Sequence, residues 1–198
     1  MEVGIIGGTF DPIHIGHLIA AEQARTALEL DKVIFIPAGQ PWLKINNGIT
    51  PASQRAEMVK LAIASNPHFE LCSIELERQG ASYTIDTIIE LRQKSDIRMP
   101  YFILGQDSIN SLPTWKEPME LLKICRLAVV PRSGLGKLDL CQLEKYIEGI
   151  KQNVVALNMP TIEISSSDIR NRVSKGQSIR YLVQPDVEQY IKTHKLYR

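Results

Sequence analysis

The stretch that most constrains this chain is VGIIGGTFDPIHIGHLIAA, residues 3–21. Val3, Ile5 and Ile6 form a short apolar run of the kind that makes a buried strand in a parallel sheet. The run breaks at Gly7-Gly8, passes through Thr9, Phe10, Asp11 and Pro12, and regains regularity near His14. From there Leu18, Ala20, Ala21, Ala24, Ala27 and Leu28 recur at helical spacing. A strand, a glycine turn and a helix N-terminus make an anion site, because free backbone N–H groups and the helix dipole converge there. His14 and His17, three residues apart, fall on one face of the first helical turn and add donors to a phosphate site.

The remaining chain repeats the alternation. KVIFIP (32–37), FELCSI (69–74), YFIL (101–104), RLAVV (126–130) and the stretch 154–157 read as strands, with 69–74 alternating like an edge. Between them Thr50-Pro51 reads as an N-cap followed by proline at the first helical position, and Thr84 as a cap for a helix with Ile85, Ile88 and Ile89 inward. Residues 139–152 read as one amphipathic helix, SSSDIR (165–170) opens another, and 185–194 reads as the last. The expected fold is α/β, a doubly wound, mostly parallel sheet with helices on both faces. No repeat or linker divides residues 1–198, so one domain is the economical reading.

Composition narrows the function classes. Net charge is +1, from 23 basic and 22 acidic residues, so neither a nucleic acid nor a membrane surface is an expected partner. The N-terminus has neither a basic n-region nor a long apolar h-region, and no apolar run reaches the ~20 residues needed to cross a bilayer. Cys72, Cys125 and Cys141 are far apart and in no C-x-x-C arrangement, which suggests buried thiols in a reducing cytoplasm rather than a zinc site.

Ligands of a doubly wound sheet bind beyond the carboxyl ends of its strands. Those ends here are Gly7-Gly8-Thr9-Phe10, the loop after Pro37, Gly105-Gln106-Asp107, Pro131-Arg132 and Ser165 to Arg170. The first segment has neither the G-x-G-x-x-G spacing of a dinucleotide fold nor a Walker loop. Ser165 and Asp168 fit a capping box, which leaves Ser166, Ser167 and Arg170 over; hydroxyls and a guanidinium at a helix start also suit phosphates.

His14-Ile15-Gly16-His17 resembles the H-x-G-H mark of the nucleotidyltransferase superfamily, and SSSDIR resembles its ISSTxIR motif, with Ser167 in place of threonine. Further stretches resemble the bacterial nicotinate-nucleotide adenylyltransferase family: GGTFDPIHIGH, PAGQPWLK (37–44), RAEM (55–58), SYT (82–84), GQD (105–107), LPTW (112–115), YLV (181–183) and HKLY (194–197). The match spans essentially the whole chain. It departs at Pro131-Arg132-Ser133-Gly134, where the family tends to R-P-G; Arg132 is kept and Ser133 replaces a proline.

The resemblance implies a Rossmann-like nucleotidyltransferase fold and a reaction of ATP with nicotinate mononucleotide, giving deamido-NAD and pyrophosphate in NAD biosynthesis. It implies His14, His17 and Arg170 as catalytic residues. It assigns ATP contacts to Gly7, Gly8, Thr9, Phe10, His14, Gly16, His17, Gly105, Asp107, Arg132, Ser165, Ser166, Ser167 and Arg170. Trp115 is the candidate to stack on the pyridine, with Thr84 as its polar partner and Tyr83 flanking; core packing is the alternative for Trp115. Asp107 is either a ribose or mononucleotide contact or a helix N-cap, and Lys44 either a phosphate contact or a solvated lysine. No protein-held metal site is expected; Mg²⁺ would arrive on the ATP phosphates. The partners expected are therefore the two small molecules in a cytoplasmic enzyme, with homo-oligomerisation left open. Rival readings are preference for the amidated mononucleotide, phosphopantetheine as acceptor, and a nucleotide-sensing module without turnover.

Overall fold

A computed structural model describes residues 1–41, 48–132, 134, 136 and 138–198. In chain order the elements are β1 (Val3–Gly8), α1 (Ile15–Ala27), β2 (Lys32–Pro37), β3 (Gln40–Pro41), α2 (Ala52–Ile63), β4 (Phe69–Leu71), β5 (Ala81–Ser82) and α3 (Thr84–Lys94). There follow β6 (Tyr101–Gly105), α4 (Gln106–Ile109), α5 (Pro118–Ile124), β7 (Arg126–Val130), α6 (Leu140–Glu144), α7 (Ile150–Asn153), β8 (Val154–Ala156), α8 (Ser166–Ser174) and α9 (Pro185–Thr193). A 3₁₀ turn at Leu112–Thr114 lies between α4 and α5.

Six strands form one sheet in the order β4-β2-β1-β6-β7-β8, and every pairing is parallel. Successive side chains on a strand point to opposite faces, and this divides the apolar runs between two cores. Ile5, Ile34, Ile36, Phe102, Leu104, Leu127 and Val129 face one core with Ile85, Ile88 and Leu91 of α3 and Leu121 and Leu122 of α5. Ile6, Val33, Phe35, Ile103 and Ala128 face the other with Ala21 and Ala24 of α1, Met58 and Val59 of α2, and Val187 and Ile191 of α9. The fold is therefore the doubly wound sheet with helices on both faces. It also explains why the strands read as continuous apolar runs: both faces are buried.

The sheet turns direction at β1. β2 and β4 lie on one side of it and β6, β7 and β8 on the other. β1 stays in register with β2 through Gly8↔Pro37, but pairs with β6 only at Gly4↔Tyr101 and Ile5↔Phe102. Past Ile5 the two central strands part, and the crevice expected at such a switch point opens between their carboxyl ends.

Several local expectations need correction. Pro51 is the N-cap of α2, so the helix begins one residue later than Thr50-Pro51 suggested. Thr84 is the first helical residue of α3 and Tyr83 the cap. Ile89 is exposed, since it falls off the stripe made by Ile85, Ile88 and Leu91. Residues 139–152 form two short helices, because Gly149 adopts a left-handed φ of 79° between them. The edge strand β4 does lie at the edge but stops at Leu71. Of the cysteines only Cys125 is buried, its thiol pushed up to about 12 by desolvation, while Cys141 is exposed. Among the described residues no helix is long and apolar enough to cross a membrane.

Candidate active site

The crevice between β1 and β6 is a cleft of about 520 Å³. Gly7, Gly8, Thr9, His14, Gly16 and His17 line one side; Gly105, Asp107, Pro131 and Arg132 line another. Ser82, Thr84, Thr87, Glu75 and Trp115 close the end toward α3.

The turn after β1 is built around Phe10. Its backbone is left-handed (φ 49°) although it is not glycine, and its side chain is only 2% exposed, so packing holds a conformation that local sterics disfavour. The ring meets His17 edge-on at 5.0 Å. A Cβ on Gly8 would lie 3.1 Å from the Phe10 ring, so a larger residue at this strand end would press on it. Phe10 thus stands behind the histidines and is not among the cleft-lining residues.

His14 is the N-cap of α1 and stacks on His17 at 3.7 Å. The His14 backbone N–H donates to His17 Nδ1 at 3.2 Å. An accepting Nδ1 in a neutral ring puts the proton on Nε2, so His17 keeps one N–H to offer the cleft. Burial, then the Arg132 guanidinium, pulls the His14 pKa to about 4. His17 is pulled down for the same reasons, burial first, then His14 and Arg132. Both rings are neutral donors at pH 7. His14 Nδ1 is buried and has no hydrogen-bond partner among the described residues, and a Cβ on Gly16 would press on it at 3.1 Å. The expected set of free helix amides is smaller than the sequence suggested: Ile15 N–H is taken by Leu182 O at 2.9 Å and His17 N–H by His14 O at 2.9 Å.

In this structure the polar groups of SSSDIR bond to their own helix and to the turn after β1. Ser165 Oγ caps α8 by accepting from Asp168 N–H at 3.1 Å, while the Asp168 carboxylate pairs with Arg172 at 2.7 Å, so only half the capping box forms. Ser166 Oγ donates to Pro12 O at 2.8 Å. Arg170 donates through Nη1 to Asp11 O at 2.7 Å and through Nη2 to Ser167 Oγ at 3.4 Å. Ser165, Ser166, Ser167 and Arg170 thus lie behind the turn and brace it, outside the lining of the cleft.

Across the cleft, Asp107 and Arg132 pair at 3.4 Å and are both substantially exposed. A Cβ on Gly105 would lie 2.3 Å from Asp107 Oδ1, so glycine there lets that carboxylate fold back to the strand end. Trp115 packs edge-on against Phe102 at 6.0 Å and also lines the cleft. Its Nε1 donates to Ser111 Oγ at 3.2 Å. Tyr83 sits under the Lys116 ammonium at 5.3 Å, outside the lining, and Thr84 is within it. Lys44 and Ser133 lie outside the described residues.

Sequence reading missed Glu75, Ser82 and Thr87, which meet at this end. Thr87 Oγ1 donates to Glu75 Oε1 at 2.7 Å in a buried pair. A Cβ on Gly39 would lie 2.1 Å from Glu75 O, so the loop after β2 abuts this segment backbone to backbone. Met159, Pro160, Ile162 and Ile164, also unforeseen, supply an apolar rim. Among the described residues no group of three His, Cys, Asp or Glu side chains gathers that could hold a metal ion.

Known proteins resemble the chain along its whole length. The cytidylyltransferase-like family model matches residues 5–172. A protein named "Probable nicotinate-nucleotide adenylyltransferase" from Dehalococcoides mccartyi (strain ATCC BAA-2266 / KCTC 15142 / 195) is 44% identical, covering 100% of this chain and 97% of its own. A protein of the same name from Thermomicrobium roseum is 43% identical over 100% of this chain and 92% of its own. The solved structure of Plasmodium falciparum nicotinic acid mononucleotide adenylyltransferase complexed with NaAD superposes with a TM-score of 0.81, over 99% of this chain and 97% of that one. At 22% identity that likeness speaks for the fold. The crevice at the switch point, its histidine pair and the end-to-end identity lead to one conclusion: the chain belongs to the cytidylyltransferase-like family and, within it, to the nicotinate-nucleotide adenylyltransferases.

Proposed function

We propose that this protein joins ATP and nicotinate mononucleotide to give deamido-NAD and pyrophosphate, a step of NAD biosynthesis, by direct attack of the mononucleotide phosphate on the α-phosphorus of ATP. The observation that carries this reading is one cleft with two unlike ends: a glycine turn with two neutral histidines, and a pocket walled by Thr84 and Trp115. Relatives at 43–44% identity bear the corresponding name.

The acceptor's phosphate is already a nucleophile, so the protein has to align it and accommodate the charge of the transition state. Gly7, Gly8, Thr9 and Gly16 would receive the triphosphate closely, and His17 Nε2–H would donate to an oxygen as charge builds on it. His14 fixes the His17 ring and adds a second imidazole. Arg132 and Asp107 face the nucleotide from the ends of β7 and β6, Arg132 as a cation and Asp107 as a ribose acceptor. Arg170 supports catalysis from behind by holding the Asp11 carbonyl, and Ser166 does the same for Pro12. At the other end Trp115 would stack on the pyridine, and Thr84 would hold its carboxylate. Lys44 remains the candidate for the mononucleotide phosphate.

Mg²⁺ would travel on the triphosphate, shielding its charge. The donor set fits that arrangement: Asp11 is occupied by Tyr197 and Thr50, and Asp107 by Arg132, so neither is a dedicated ligand. The working compartment is the cytoplasm and the partners are the two small molecules.

The test is to incubate the protein with MgATP and nicotinate mononucleotide and follow both products. The reading expects deamido-NAD and pyrophosphate in equal amounts, with neither formed when the acceptor is omitted. Pyrophosphate released without acceptor, or no dinucleotide at all, would contradict it.

A further inference from the structure

Two features remain outside the reaction as described: an arginine on α2 and the last tyrosine of the chain. Arg55 is 1% exposed. Its guanidinium donates through Nε to Thr50 O at 2.9 Å, through Nη1 to Thr9 O at 2.6 Å, and through Nη2 to Ala38 O at 2.7 Å and Gly39 O at 3.2 Å. All these acceptors are main-chain carbonyls on three separate segments: the turn after β1, the loop after β2 and the approach to α2. Thr9 and Ala38 line the cleft.

Burying a guanidinium is costly, and an apolar side chain of similar size commonly gives equal or better stability. Burial does lower the Arg55 pKa, against the pull of Asp11, Tyr197 and Glu75. What an apolar residue could not do is hold three loops in one plane. A lysine offers a point charge in place of a rigid fork, so it could not reproduce these directions either. On the far side of Gly39, the Glu75 carbonyl leaves no room even for a Cβ. The lip at Ala38–Gly39 is therefore held from both sides.

A second strut reaches the same point from the chain terminus. Tyr197 Oη donates to Asp11 Oδ1 at 2.7 Å, and Asp11 Oδ2 accepts from Thr50 N–H at 3.3 Å. Thr50 is thus held by its N–H through Asp11 and by its carbonyl through Arg55. Lys195 and Tyr197 take left-handed φ values of 53° and 63°, unusual for residues with side chains, and that bend accompanies the phenol into contact with Asp11.

We propose that Arg55 is a positioning residue for adenylyl transfer, setting the separation between the phosphate turn at Thr9 and the opposite lip at Ala38–Gly39, with Tyr197, Asp11 and Thr50 as its brace. This rests on the reading above, in which the Thr9 side takes ATP and the Thr84–Trp115 end the mononucleotide; the Ala38–Gly39 lip abuts Glu75 at that end. Arg55 itself touches neither substrate. Its effect is on how the two reactants meet, and a displacement of about 1 Å in such an arrangement can cost about 100-fold in rate.

The experiment compares wild type, Arg55→Lys and Tyr197→Phe. It measures kcat, both KM values, the separate Kd of a non-hydrolysable ATP analogue and of nicotinate mononucleotide, and the melting temperature. For folded Arg55→Lys each Kd stays within about threefold while kcat falls about 100-fold. Tyr197→Phe removes one hydroxyl and lowers kcat about fivefold with little change in melting temperature. A folded Arg55→Lys that melts lower but turns over at the wild-type rate overturns the proposal, as does loss confined to one substrate's Kd. If Arg55→Lys does not fold, Tyr197→Phe decides alone, and wild-type kcat in that variant overturns it. A wild-type protein that makes no deamido-NAD would instead defeat the reading of the reaction.

Discussion

The two ends of the cleft are made in different ways. At the histidine end, the proposed phosphate site, the chain presents mostly main chain and two neutral rings, with long polar side chains behind them: Arg55, Arg170, Ser166 and Tyr197 all bond to residues 9–12. At the other end, the proposed pyridine pocket, the side chains themselves form the wall, with Thr84, Thr87, Glu75 and Trp115 lining the space. The first construction suits a reactive centre, where a developing charge needs donors that do not move. The second suits selection of a substrate, where shape and a few polar groups discriminate. Substitutions at the two ends should therefore have different kinetic signatures.

The largest effect is expected at the phosphate end. His17→Ala removes the one oriented N–H, and kcat should drop about 1,000-fold with KM values little changed, since such donors act mainly in the transition state. Near wild-type turnover in a folded His17→Ala protein would erase the distinction drawn here. Trp115→Ala sharpens it from the other side. KM for nicotinate mononucleotide should rise about tenfold, the worth of a modest aromatic contact, with KM for ATP unchanged. An equal rise in both would mean that Trp115 supports the whole cleft through Phe102.

A third effect, on stability and not on turnover, marks the histidine end by pH. In the unfolded chain His14 titrates at 6.5, and in the folded protein at about 4. Above pH 6.5 neither state binds the proton and the full stability is present. As pH falls from 6.5 toward 4 only the unfolded chain gains it, so stability is lost, by about 3 kcal/mol in all, and the slope ends once both states are protonated. Urea midpoints measured between pH 7.5 and 4 should decline over that window, and the decline should shrink in His14→Asn. A flat profile in wild type would show that the histidines are not held neutral.

These contrasts also explain what could be read from the sequence. Strands such as KVIFIP and RLAVV were legible because burial on both faces leaves an unbroken apolar run. The 139–152 stretch was not, because the amphipathic pattern continues across Gly149 while the backbone turns left-handed there. Thr84 resembled a cap because its residue type is common there, yet in the fold it faces the cleft. The turn after β1 was legible because its glycines and histidines are contiguous. Glu75 and Ser82 come from stretches without periodicity, Thr87 is a polar residue on the buried stripe of α3, and tertiary contacts such as Thr87 to Glu75 and Gly39 against Glu75 O bring this end together. Arg55 did leave a signal: it falls at helical spacing on the same face as Ala56, Val59 and Ala62, all buried, where a charged residue is out of place unless it has partners. SSSDIR shows how little residue type alone decides, since hydroxyls and a guanidinium suited to phosphate also hold the carbonyls of Pro12 and Asp11.

The most direct test of the account is the choice of acceptor. With MgATP saturating, kcat/KM should be measured for nicotinate mononucleotide and for its amide on the same preparation. A wall that holds the pyridine carboxylate through Thr84 predicts at least a tenfold preference for the acid, and equal use of the two, or preference for the amide, would contradict it.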